Sequence, residues 1–235
     1  MTSGSPIAFP QSSSEKSNLS PNPNPESRIP NSQIMKTLLL IDIQNDVLPG
    51  GALAVPDGDA VIPVANQLMD SFPLVVATQD WHPAGHGSFA SGHADKAPGE
   101  VIDLDGVSQV LWPDHCVQGT SGAEFATTLN TDRVDHVIQK GTQPEIDSYS
   151  GFFDNARRHQ TGLDALLRGA GVTELCIVGL ATDYCVRFTA LDAIDLGYPT
   201  RLVTAGCRGV ELAPGDVDAA LEEMRSAGVV LEART

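Results

Sequence analysis

The sequence predicts a three-layer α/β/α protein around a central, doubly wound and mostly parallel sheet. Short apolar runs of strand length alternate along the chain with segments whose apolar residues recur at helical spacing. The runs are apolar throughout, as in LLLI within 37–43, which suits strands that are buried on both faces. Several runs end at a charged residue, and ligands in such folds bind at the carboxyl ends of the strands.

The predicted elements follow in order along the chain. Strands are predicted at 37–43, 74–78, 136–140, 175–178, 201–205 and 229–233. Helices are predicted at 59–72, at 162–169, from 184 to a stop at Gly197, and at 214–227, where a proline lies near the first turn. The segment from 81 to about 130 lacks a regular hydrophobic pattern. It is longer than loops that only connect two elements, which indicates a functional role.

Composition limits the class of protein. The chain has 235 residues, 41% of them hydrophobic, so we expect one domain over residues 35–235. Residues 1–34 are rich in serine, proline and asparagine, and we predict a disordered extension there. A transit peptide and an extension upstream of a natural start at Met35 are the alternatives. The net charge of −16, without a Lys/Arg cluster, argues against nucleic acid or a membrane as partner.

Cys185 stands out among the four cysteines, which show no close paired spacing and are interpreted as reduced thiols in the cytoplasm. Asp183 offers a side chain that can cap a helix beginning at Tyr184, and Cys185 then lies in the first turn. The positive end of the helix dipole should lower the pKa of a thiol at that position and make it a nucleophile. The alternative is a small cysteine that only packs.

Asp42, Lys140 and Cys185 form the first predicted constellation, because each lies at or just after the carboxyl end of a predicted strand. A buried acid needs a partner, and Lys140 can pair with Asp42 while also stabilising a thiolate. Asp42 could then take the thiol proton and pass it to a leaving group. A structural ion pair between Asp42 and Lys140 is the alternative.

Asp80, His82, His86 and His115 form the second constellation, in and beside the long irregular segment. One carboxylate and three imidazoles suit a divalent metal of borderline softness, and we expect one ion, with zinc favoured over iron or manganese. The remaining histidines are interpreted as surface residues. Cys116 is left out of the site because adjacent side chains seldom aim at one point.

Several motifs resemble the nicotinamidase branch of the isochorismatase-like cysteine hydrolases. They are LLLIDIQND, TQDWHPAGHGSFA, LWPDHCVQGT, KGTQPEIDSYSGFFDN and VGLATDYCV. The resemblance extends from residue 35 to about 231. It implies a Cys185 nucleophile, an Asp42 acid/base and a supporting Lys140, with Asp80, His82, His86 and His115 as metal ligands.

The resemblance also implies a chemistry and a pocket. It implies hydrolysis of nicotinamide, and of pyrazinamide, through a thioester, as a step of NAD salvage. A cis peptide between Leu180 and Ala181 is implied, with the N–H groups of Ala181 and Cys185 facing an oxyanion. Trp112 and Tyr149 are candidates to pack the substrate ring, with ordinary core packing as the alternative. Val47 stands where many relatives carry phenylalanine, which should widen the pocket.

Three other functions stay open at this point. Another amidohydrolase of the same fold is one, although such relatives generally lack the four metal ligands. A non-catalytic binding protein on this scaffold is the second, and loss of Cys185, Asp42 or Lys140 would favour it. A metal-dependent hydrolase in which Cys185 takes no part is the third. The sequence names a small-molecule substrate as the partner and leaves a homo-oligomer open.

Overall fold

A computed structural model describes residues 35–233, and the disorder predicted for residues 1–34 falls outside this range. The predicted parallel sheet is confirmed, and its six strands are β1 (Lys36–Ile41), β2 (Leu74–Asp80), β5 (His136–Lys140), β6 (Glu174–Leu180), β7 (Thr200–Arg208) and β8 (Val230–Glu232). They lie in the order β5-β2-β1-β6-β7-β8, with parallel pairing throughout. The strand order reverses between β1 and β6, which makes the sheet doubly wound.

Helices cover both faces of this sheet. They are α1 (Val61–Met69), α2 (Leu163–Gly169), α3 (Arg187–Asp195) and α4 (Asp216–Ser226). Residues such as Ala65 and Met69 of α1 belong to the core on one face, whereas Leu167, Ala190 and Met224 of the other three helices belong to the core on the opposite face. Each helix is shorter than its predicted segment, because turns flank its ends. Within 35–233, no helix combines the length and apolar character needed to cross a membrane.

The central strands are buried as their apolar composition predicts. All seven residues of β2 are buried, and five of the six residues of β1 are buried. The apolar run of β2 ends at 78, and the strand itself ends at Asp80, as predicted, because Gln79 and Asp80 pair with Gln139 and Lys140 of β5.

The irregular segment after β2 contains a hairpin that the sequence analysis missed. Strands β3 (Val101–Leu104) and β4 (Val107–Val110) pair antiparallel across the two-residue turn Asp105–Gly106. Both turn residues have positive φ, at 51° and 81°, and Asp-Gly is a preferred pair for such turns. The Asp-Gly dipeptide was therefore the feature of the sequence from which the hairpin could have been predicted.

Gly179 allows the two central strands to approach each other. It pairs with Ile41 of β1, has a φ of 130°, and a Cβ atom there would overlap the backbone of Ile41. A side chain would therefore bring both backbone strain and overlap into the middle of the sheet.

We expect Gly179→Ala to lower the free energy of unfolding by about 3 kcal/mol or more, through strain and overpacking combined. Gly169→Ala is the matched control, because open space surrounds Gly169 near the end of α2. Urea unfolding of both variants measures the difference. A loss in Gly179→Ala no larger than in the control would contradict this reading of the sheet.

Candidate active site

The carboxyl ends of four strands bring the first predicted constellation together with Asp80 of the second at one edge of the sheet. Asp42 directly follows β1, Asp80 ends β2, and Lys140 ends β5. Cys185 follows β6 in a turn of π-helix, Thr182–Val186, that leads into α3. Because β5, β2, β1 and β6 are neighbours in the sheet, residues far apart in sequence become neighbours in space.

Lys140 lies at the centre of this cluster, and its side chain is 0% exposed. Its Nζ lies 2.9 Å from Asp42 Oδ2, and it donates hydrogen bonds to Asp80 Oδ1 at 2.6 Å and to Cys185 Sγ at 3.4 Å. A further bond to the carbonyl oxygen of Ser148, at 2.8 Å, satisfies the ammonium group. The buried positive charge is thus paired by two carboxylates and also touches the thiol.

The two carboxylates differ in proton affinity. Burial alone would raise the pKa of Asp80, but Lys140 and His82 outweigh burial and hold it well below the usual value. Burial raises the pKa of Asp42, and Lys140 only partly opposes this effect. Asp80 therefore stays ionised, whereas Asp42 is suited to exchanging a proton. The hydroxyl of Thr78 donates to Asp42 Oδ1 at 2.6 Å and fixes the carboxylate.

The thiol of Cys185 does not have the lowered pKa that its predicted position at a helix start suggested. Burial raises the pKa of Cys185 well above the usual range; the Lys140 charge acts to lower it, and the nearby Asp42 and Asp80 charges act to raise it further. Burial and the two carboxylates come from other strands, and a helix start alone does not offset them. The resting group is a neutral thiol, so a proton acceptor is needed to activate it.

Asp183 does not cap the helix as predicted. Its carboxylate accepts hydrogen bonds from the backbone N–H groups of Val210 at 3.0 Å and Glu211 at 2.7 Å, in the loop after β7. The turn instead begins after Ala181, whose carbonyl oxygen accepts bonds from Tyr184 and Val186. Asp183 thus ties the Cys185 turn to the neighbouring loop.

The peptide bond between Leu180 and Ala181 is cis, as the resemblance implied. Ala181 and Cys185 both line the same cleft, together with Asp42. The backbone of both proposed oxyanion-binding residues therefore lies beside the thiol.

Asp80, His82 and His115 lie together beside this cleft, with one potential ligand atom of each residue within 4.8 Å of the others. The Nδ1 of His82 lies 2.9 Å from the carbonyl oxygen of Gly141, and that of His115 lies 2.8 Å from the carbonyl oxygen of Pro113. Each carbonyl can hold a proton on Nδ1, which leaves Nε2 free as a ligand. The buried Nε2 of His82 has no hydrogen-bond partner within the described chain. This donor set fits a divalent metal ion.

His86 is placed differently from the other three predicted ligands. Its potential ligand atom groups with those of His82 and of Asp147, and its Nδ1 lies 2.8 Å from the hydroxyl of Ser88. Sequence analysis assigned no role to Asp147, although it lies within the motif KGTQPEIDSYSGFFDN. The structure thus contains two groups of three ligands that share His82.

The three predicted substrate-binding residues, Val47, Trp112 and Tyr149, all line the cleft. Trp112 Nε1 donates to the hydroxyl of Tyr149 at 3.1 Å, and Tyr184 packs edge-on against both rings. Val47 lies in the same lining and is held in a short 3-10 turn. The sequence did not predict Tyr184 as a residue of the cleft, although its position next to Cys185 indicated that it lies close to the site.

Two further polar residues that the sequence analysis did not single out support the site. Gln44 makes two bonds of 2.8 Å to the backbone of Asp80, through Oε1 to its N–H group and through Nε2 to its carbonyl. Asp46 accepts a bond of 2.8 Å from the N–H group of Cys116, next to His115. Both residues fix the backbone of the candidate metal ligands.

The fold and the site define an α/β protein with a buried thiol, carboxylate and ammonium at the carboxyl edge of a parallel sheet. The family model described as "Isochorismatase domain" matches residues 36–235. The chain therefore belongs to the isochorismatase family.

Several relatives cover nearly the same span. A nicotinamidase from Escherichia coli strain K12 is 51% identical over 202 residues, which cover 83% of this chain and 93% of the relative. A nicotinamidase and pyrazinamidase from Acinetobacter baumanii has a solved structure with 45% identity and a TM-score of 0.82, covering 85% of this chain and 96% of that one. A pyrazinamidase of Pyrococcus horikoshii, solved in complex with zinc, shares 40% identity at a TM-score of 0.68, covering 84% and 98% of the two chains.

We expect Lys140→Met to lower the free energy of unfolding by at least about 3 kcal/mol, because two buried carboxylates lose their counter-charge. Lys36→Met is the control, since the Lys36 side chain is 43% exposed and its pair with Glu174 should contribute less than about 1 kcal/mol. Urea unfolding in the presence of a chelator measures both. Equal losses in the two variants would contradict the central role of Lys140.

Proposed function

We propose that the protein is an amide hydrolase that converts nicotinamide to nicotinic acid and ammonia, and that it also accepts pyrazinamide. The carrying observation is the buried contact of Lys140 Nζ with Asp42 Oδ2 at 2.9 Å and with Cys185 Sγ at 3.4 Å, beside an aromatic cleft. A nucleophile, a proton acceptor and a stabilising charge are the groups that covalent amide hydrolysis needs. The names of the similar proteins support the choice of substrate.

The proposed reaction begins at Cys185. Its sulfur bonds to the carboxamide carbon while the thiol proton passes to Asp42, and Lys140 stabilises the thiolate as it forms. Because the pKa of Asp42 is raised by burial, this carboxylate can hold the proton that it receives. The carboxamide oxygen gains negative charge, and the backbone N–H groups of Ala181 and Cys185 bind it.

Asp42 then supplies the proton that leaves with the amine. The carbon–nitrogen bond breaks, ammonia departs, and an acyl thioester remains on Cys185. Asp42 next removes a proton from water, whose oxygen attacks the thioester carbon. The carbon–sulfur bond breaks, nicotinic acid leaves, and the thiol recovers its proton.

Asp80, His82 and His115 are the proposed ligands of one divalent metal, with zinc first, and His86 is a fourth candidate. The unpartnered Nε2 of His82 and the carbonyl contacts of the His82 and His115 Nδ1 atoms support this assignment. When bound, the metal supplies Lewis-acid coordination for a ring nitrogen of the substrate.

The aromatic wall of the cleft is the proposed ring-binding surface. Trp112 and Tyr149 offer flat apolar faces, and the Tyr184 ring packs edge-on against both of them. Val47 contributes less bulk than a phenylalanine at that position, which should leave the ring more room.

We expect purified protein to release ammonia from nicotinamide, and Cys185→Ala and Cys185→Ser each to lower kcat by at least about a thousandfold. Acid-quenched wild type should carry the nicotinoyl mass on Cys185, as read by mass spectrometry. Cys176→Ala is the control, since Cys176 is buried within β6, pairs with Leu38 and Arg201, and does not line the cleft. Turnover retained in the alanine variant would instead favour hydrolysis by a metal-bound water.

We expect about one divalent ion per chain in wild type, and a loss of metal affinity greater than about 100-fold in His82→Ala. Elemental analysis of protein purified without a metal-affinity tag measures this. His136→Ala is the matched control, because His136 is an exposed residue of β5. Equal metal content in His82→Ala and wild type would rule out the proposed ligands.

A further inference from the structure

Gln109 is a buried polar residue on a strand that otherwise lies at the surface. Its strand, β4, belongs to the hairpin of the long segment, and the preceding residue, Ser108, is exposed. Gln109 itself is 1% exposed. A buried amide must find partners for its donors and acceptor, so its contacts indicate what the hairpin holds in place.

The side-chain amide of Gln109 reaches two residues that line the cleft. Its Nε2 lies within hydrogen-bond distance of three acceptors: the carbonyl oxygen of Val110 at 2.7 Å, the hydroxyl of Tyr149 at 2.8 Å and Asp147 Oδ2 at 3.2 Å. The amide has two N–H hydrogens, so the longest contact, to Asp147, shares one of them. Its Oε1 accepts a bond of 3.1 Å from Asn155 Nδ2. Gln109 itself does not line the cleft, so it lies behind the wall that Tyr149 and Asp147 form.

Tyr149 is fixed at its hydroxyl end by two donors. Gln109 Nε2 and Trp112 Nε1 both donate to this oxygen, at 2.8 and 3.1 Å. The ring then has one orientation, in which it packs against Tyr184 with centroids 5.4 Å apart. Asn155, the other partner of Gln109, accepts a bond from the backbone N–H of Tyr149 at 2.9 Å. The hairpin amide and its partner therefore hold Tyr149 at both the side chain and the backbone.

We propose that Gln109 is a positioning residue that sets substrate affinity, because it fixes the Tyr149 ring and the Asp147 carboxylate as one wall of the cleft. This inference rests on the proposed function and adds a specificity role for the hairpin. Gln109 has no contact with Cys185, Asp42 or Lys140, which are held by bonds of their own. Loss of the amide should therefore weaken binding of the ring and leave the chemical step nearly unchanged.

The test replaces Gln109 by methionine, which keeps the length of the side chain and removes the donors. We expect Q109M to raise KM for nicotinamide about tenfold, the effect of roughly one or two lost hydrogen bonds, while kcat changes by less than about threefold. Metal content should equal that of wild type. Q109E keeps an acceptor for Asn155 and lacks the donors, so it should raise KM at least as much.

Ser108→Ala is the matched control, because it alters the exposed neighbour on the same strand and should leave KM unchanged. A residue that only anchors the hairpin would lower the melting temperature in Q109M and Q109E without moving KM. That result, or a fall in kcat with constant KM, would overturn the inference. Absence of nicotinamide hydrolysis in wild type would refute the proposed function, whereas wild-type turnover with an unchanged KM in Q109M would refute only the role of Gln109.

Discussion

The pairing of one buried ammonium with two carboxylates is the interaction on which the site depends. Lys140 lies between Asp42 and Asp80, and none of the three could be buried alone without a large desolvation cost. The cluster carries one more negative than positive charge. This excess is divided unequally: Asp80 keeps its charge and faces the histidines, whereas Asp42 has the raised pKa and faces the thiol. One lysine thus separates the proposed metal-binding role of Asp80 from the proposed proton-transfer role of Asp42.

Beyond the carboxyl ends of the strands, where backbone pairing stops, polar side chains hold the chain by hydrogen bonds. Gln44 bonds to both backbone groups of Asp80 in the way that a neighbouring strand would, and Thr78 fixes the Asp42 carboxylate. Gln109 does the same for Tyr149 from the hairpin. Hydrogen bonds from these side chains therefore hold the loops that carry the reactive groups, and a site built at a strand edge requires such support.

Most of the sheet could be predicted because burial on both faces leaves a continuous apolar run, and parallel strands then bring their following residues to one edge. The placement of Asp42, Lys140 and Cys185 side by side follows from that rule alone. The high pKa of Cys185 and the real partners of Asp183 could not be predicted, since both depend on groups contributed by other strands and loops. The grouping of His86 with Asp147 likewise depends on contacts between segments 60 positions apart.

The strand order also has a consequence for the way the chain reaches its native state. β1 is made first, yet it lies between β2 and β6, and the bond from Met35 to Thr173 spans 138 positions. One side of β1 therefore has no partner until β6 has left the ribosome. Long-range parallel pairing of this kind slows folding and leaves an apolar strand edge exposed in the meantime. The Lys140–Cys185 contact joins residues from the two sides of β1 and therefore needs β6 in place, and a chain cut before β6 would leave one edge of β1 unpaired.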